Sequence, residues 1–98
     1  MEKVIVWNKR PVKFLSQALK KISEDSIGQA ERVEEELIIS IRELSVNPEK
    51  YPPDKFKIDN PGNFRAFEKF SFRIAYKFTP DQIRILRIRH VKQEPKGY

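Results

Sequence analysis

The sequence predicts an α+β domain: an N-terminal strand, an antiparallel helical hairpin, then a three-stranded antiparallel meander, with the helices packed on one sheet face. Three observations predict it. Apolar residues recur at helical spacing between residues 11 and 46, then at every second position between 64 and 90. Turn formers cluster at 24–26, 47–63 and 79–81. A chain of 98 residues closes one modest core, so residues 1–98 are read as a single domain.

Residues 3–7 form the first expected strand, because Val4, Ile5, Val6 and Trp7 favour extended backbone. Their near-continuous apolar character predicts burial on both faces. Asn8 can cap the following helix and Pro11 suits its first turn. That helix is expected over 11–23, with Val12, Leu15, Ala18, Leu19 and Ile22 on one stripe. Ser26 and Gln29 match a capping box for a second helix over 27–46. Its stripe is Ile27, Ala30, Val33, Leu37, Ile41 and Leu44, and Asn47-Pro48 stops it. The short connection makes the helices antiparallel neighbours.

Residues 47–63 are rich in turns, and Asn60-Pro61-Gly62 fits a type II turn. Within them, the alternation at 55–58 predicts a short edge strand. Strands follow at 64–67, 72–78 and 82–90, with 68–71 joining the first two and Thr79-Pro80-Asp81 turning the chain into the last.

Charge is unevenly placed. Residues 1–50 carry 9 Lys/Arg and 9 Asp/Glu, whereas residues 51–98 carry 11 against 5. The whole excess of +6 lies in the C-terminal half, which favours an anionic partner. With no cysteine, disulfides and thiolate metal sites are excluded, and the reducing cytosol is the expected compartment. No apolar run reaches the roughly 20 residues that span a bilayer, and the apolar start is too short for a signal peptide.

Side chains alternate across a strand, so faces can be assigned from sequence. Phe72, Ile74, Tyr76 and Phe78 should meet the helices, leaving Arg73, Ala75 and Lys77 on the other side. In the last strand, Leu86 and Ile88 form the better core pair, which puts Arg87 and Arg89 beside Arg73. Arg65 is assigned outward too. The expected result is a sheet face carrying Arg65, Arg73, Arg87 and Arg89, each able to fork onto phosphate or carboxylate.

Phe72-Arg73-Ile74-Ala75-Tyr76, Ile85-Leu86-Arg87-Ile88-Arg89-His90 and the spaced Pro95 and Tyr98 resemble the RelE/ParE superfamily of type II toxin–antitoxin toxins. The helical hairpin with Ala30 and Leu44, the Asn47-Pro48 stop and Asn63-Phe64-Arg65 extend the likeness over nearly the whole chain. The resemblance implies a toxin and a cognate acidic antitoxin whose segment would cover the arginine face. It implies either a ribosome-dependent mRNA endonuclease of RelE type or a ParE-like poison of DNA gyrase without nuclease activity. The first of these is the leading expectation, with translation inhibition and plasmid stabilisation as its outcomes. A non-toxic basic interaction module is the third reading. The dense lysines that RelE carries near Arg65 are absent here, which favours ParE.

On the endonuclease reading, the resemblance makes Arg73, His90, Lys92 and Tyr98 the catalytic candidates and Arg65, Arg87 and Arg89 the phosphate or nucleic-acid contacts. The substrate 2′-hydroxyl is the nucleophile, so the protein needs proton transfer and charge stabilisation at phosphorus. Arg73 and Lys92 suit the second task. His90 suits the first, because an imidazole can give or take a proton near neutral pH. Tyr98 would serve only if neighbouring cations lowered its pKa from about 10. One histidine and no cysteine give neither a Cys–His pair nor a histidine-rich metal site. Only Gly28, Gly62 and Gly97 are present, so there is no glycine-rich phosphate loop. No metal, cofactor or membrane partner is expected.

Overall fold

The structure, a computed structural model, describes residues 2–93 and 96–98. Pro95, one of the positions carrying the resemblance, lies outside the described residues. The elements run β1 (Val4–Trp7), α1 (Lys9–Asp25), α2 (Ile27–Glu43), β2 (Phe64–Lys69), β3 (Phe72–Phe78) and β4 (Gln82–His90). The sheet order is β1-β4-β3-β2: β1 runs parallel to β4, and the other two pairings are antiparallel. The expected α+β order therefore holds.

The core lies between the helical hairpin and one sheet face. Leu15, Val33, Leu37, Ile41 and Leu44 pack there with Phe67, Phe72, Ile74, Tyr76, Ile83, Ile85 and Ile88. Removing such apolar area from water is the main force holding the layers together. Tyr76 spans the core and donates its hydroxyl to the Pro48 carbonyl at 2.6 Å. Its burial pushes the phenol pKa up to about 12, so this bond keeps its proton.

Local chemistry explains the ends of the helices. Ser26 accepts from the Gln29 N–H at 3.1 Å, the cap the sequence announces. Asn8 sits at the N-cap of α1 but makes no cap bond; its Oδ1 accepts from Arg84 Nη1 at 3.0 Å, joining β1 to β4. The second helix stops at Glu43, three residues short of the expected end. Leu44, Ser45 and Val46 N–H groups donate to Ile41, Arg42 and Glu43, tightening the last turn into i→i+3 bonds.

Four further expectations are corrected. β1 is an edge strand whose Val4 is 67% exposed, so it is not buried on both faces. Residues 55–58 form turns instead of a strand, and the isolated bridge in this loop joins Pro53 to Arg65. The β2–β3 link is two residues, Phe70 and Ser71, with φ of 53° and 67°. Both lie in the left-handed region, as a tight hairpin of matching twist requires.

The fourth correction concerns β4. Ala75 pairs with Arg87 but Tyr76 pairs with Ile85, so Leu86 is left over as a bulge. Before the bulge Ile83 and Ile85 face the helices; after it Ile88 does. Leu86 is not a core residue. Ile85 and Ile88 are separated by an odd number of positions, and strict alternation cannot bury both; the extra residue reconciles them. The bulge brings Arg84 onto the helix-free face, opposite Lys77, with Arg87 and Arg89.

Candidate functional site

Antiparallel partners share a face, so the register places each candidate side chain. Arg73 pairs with Arg89, and Arg87 pairs with Ala75, all on the face away from the helices. These three arginines gather as expected. Arg65 does not join them. It pairs with Tyr76 on the helix side, where its Nη1 donates to the Tyr51 carbonyl at 2.9 Å and its Nε to the Gly62 carbonyl at 2.8 Å. The outward assignment of Arg65 is thus corrected: its guanidinium ties two loop carbonyls to the sheet.

The arginine face is not bare. Ala66 and Ala75 point to it, yet they are only 5% and 1% exposed. The cover consists of the loop after Pro53 together with residues 96–98. Two backbone bonds join these pieces: Ile58 N–H donates to the Tyr98 carbonyl at 2.6 Å, and Tyr98 N–H to the Phe56 carbonyl at 3.0 Å. The loop is braced from within. Asn60 Oδ1 accepts from the Gly62 and Phe64 N–H groups, and Asn60 Nδ2 donates to the Phe64 carbonyl. Gly62, at φ +114°, supplies a backbone conformation that other residues rarely adopt.

Asp54 is the centre of this cover, with a side chain 0% exposed. Its Oδ1 accepts from Arg73 Nη2 at 2.8 Å and from the Phe56 N–H at 3.1 Å; its Oδ2 accepts from the Tyr98 hydroxyl at 2.8 Å. Burial alone would raise its pKa. The hydrogen bonds from Arg73, Phe56 and Tyr98 outweigh that, and the carboxyl is held below its ordinary value.

Arg73 is correspondingly occupied. Nη1 donates to Glu68 Oε2 at 3.0 Å, Nη2 to Asp54, and the guanidinium lies 4.8 Å from the Phe56 ring centre. Its side chain is 13% exposed. The Nε–H is buried without an acceptor among the described residues. Arg87 stacks 4.1 Å from the centre of the Tyr98 ring and donates to the Lys96 carbonyl at 2.7 Å. Burial lowers its pKa, Tyr98 opposes that, and the charge of Arg89 adds to it.

The catalytic candidates are therefore split. Arg73 and Tyr98 meet through Asp54. Burial, then the Asp54 hydrogen bond and charge, push the Tyr98 pKa upward despite Arg87 and Arg73. The condition for proton transfer by Tyr98, a lowered pKa, is not met. His90 pairs with Phe72 on the helix side, its ring 5.0 Å from Phe72 and 5.5 Å from Phe14. Lys92 sits in the exposed turn beyond β4. Among the described residues, no three His, Cys, Asp or Glu side chains gather where they could hold a metal ion.

Sequence reasoning missed Asp54, Phe56 and Glu68. The last was legible: a two-residue turn at Phe70-Ser71 puts Glu68 opposite Arg73. Asp54 approaches through an irregular loop, and nothing in its neighbourhood announces it.

Comparison with known proteins agrees with this architecture. The pattern of the family described as "ParE toxin of type II toxin-antitoxin system, parDE" matches residues 5–95. The chain belongs to this family, within the RelE/ParE superfamily, and is a type II toxin–antitoxin toxin. A solved structure titled "Chromosomal ParDE TA system from P. aeruginosa" is similar with a TM-score of 0.66 and 17% identity, covering 91% of this chain and 96% of that one. That likeness speaks for the fold. No curated protein matches the sequence. Among the described residues, no helix is long and apolar enough to cross a membrane.

Proposed function

We propose that this toxin acts by binding, as a ParE-like poison of DNA gyrase, and not by cutting mRNA. The observation that carries the reading is the separation of the proton-transfer candidate His90 from the charge-stabilising Arg73. His90 lies on the helix side of the sheet, while Arg73 lies on the other side between Asp54 and Glu68. RNA cleavage needs a proton acceptor and a charge stabiliser around one phosphate. A guanidinium already hydrogen-bonded to two carboxylates is a poor start for such a site. Family membership supports the same reading, since the sequence matches the ParE pattern over residues 5–95. A cognate antitoxin is the expected neutralising partner, and its acidic character would complement the chain's net charge of +6.

The test uses purified chain with DNA gyrase and supercoiled plasmid. Covalent gyrase–DNA breaks that rise with toxin concentration support the proposal. Intact plasmid, together with cleavage of mRNA on programmed ribosomes, would overturn it.

A further inference from the structure

We infer that residues 96–98 form a self-inhibitory strap: they hold Arg87 against the sheet and withhold it from external oxyanions. The inference concerns access to the helix-free face and holds whatever the toxin's target is.

The strap presents the two chemical features that a guanidinium pair recognises. Its tyrosine ring covers the flat face of Arg87 at 4.1 Å, and its Lys96 carbonyl accepts from Arg87 Nη2 at 2.7 Å. Its hydroxyl completes the Asp54 carboxylate that neutralises Arg73. Tyr98 and Asp54 thus occupy, from within the chain, the places an aromatic group and an anionic oxygen of a ligand would take. The Phe64 and Tyr98 ring centres lie 6.3 Å apart in an edge-on arrangement, and Lys57 stands 5.5 Å from the Tyr98 ring.

The attachment is short. Two backbone hydrogen bonds, the phenol–carboxylate bond, the Arg87 contacts and the Phe64 and Lys57 contacts with the Tyr98 ring hold residues 96–98. A short segment outside the strand pairings opens locally at lower free energy than the sheet unfolds. Asp54 and Glu68 stay with Arg73 when it opens, so Arg87 is the guanidinium released. Phosphate and carboxylate oxygens share the chemistry that would then bind it.

Phenylglyoxal, which modifies accessible arginines, gives the test, with mass spectrometry reading Arg87. Modification is expected to be about tenfold faster in Tyr98→Ala and in a chain lacking residues 96–98 than in the unaltered protein. Tyr98→Phe, which keeps the ring, should fall between. Inorganic pyrophosphate should protect Arg87 in Tyr98→Ala. Equal rates in all variants, or no protection by pyrophosphate, would overturn the inference. Should the variants fail to fold, hydrogen exchange on the unaltered protein decides. The Ile58 and Tyr98 amides should exchange at least about a hundredfold faster than those of β3. Exchange as slow as that of β3 means the segment is a fixed part of the core.

Discussion

Asp54 and Arg73 form a 2.8 Å ion pair beneath the covered face of the sheet, with the carboxylate wholly shielded from water. Such a pair is poor evidence of net stabilisation, but breaking it is expensive because a buried charge is left alone. Asp54→Asn is therefore expected to destabilise the fold by about 3 kcal/mol at pH 7, read from urea unfolding. An unchanged unfolding midpoint would contradict the assignment.

The same carboxyl sets a pH dependence. Its folded pKa is lowered, so its stabilisation is fully present above the unfolded value near 3.9. It is lost as pH falls through the folded pKa. Urea midpoints should drop below about pH 4 more steeply in the unaltered protein than in Asp54→Asn. Parallel curves for the two proteins would show that Asp54 is not the group responsible.

Arg65 is expected to matter for folding alone. Arg65→Ala leaves the Tyr51 and Gly62 carbonyls without their donor and should cost about 1–3 kcal/mol. Toxicity per folded molecule should stay unchanged, measured as growth arrest normalised to soluble protein. Abolished toxicity at wild-type stability would return Arg65 to the binding surface.

The β2–β3 turn offers a stabilising change. Ser71 is exposed with φ of 67°, a conformation that costs a non-glycine residue roughly 1 kcal/mol. Ser71→Gly should raise the melting temperature by about 4–8 °C, as expected for a domain of this size. A lower melting temperature would mean that the turn is not as described.

The fold was legible because its signals are local: Ser26 and Gln29 mark a helix start, and the periods of Phe72–Phe78 and of the helical stripe differ plainly. The grouping of Arg73, Arg87 and Arg89 was legible for the same reason. Arg65 failed because a four-residue strand reading gave no decisive face, and its side chain turns back to the loop carbonyls of Tyr51 and Gly62. Leu86 failed because alternation was applied across a bulge, although the Ile85-to-Ile88 spacing already broke the period. Asp54 depends on a contact with Arg73 across 19 positions, which no local pattern encodes.

The central claim is that toxicity requires no nuclease chemistry, and inducing His90→Ala beside the unaltered chain tests it most directly. New mRNA 5′ ends and trapped gyrase–DNA complexes are mapped in the same cells. The account predicts that both proteins arrest growth equally and accumulate gyrase–DNA complexes without new codon-specific 5′ ends. Fresh 5′ ends with the unaltered chain that vanish with His90→Ala would contradict it.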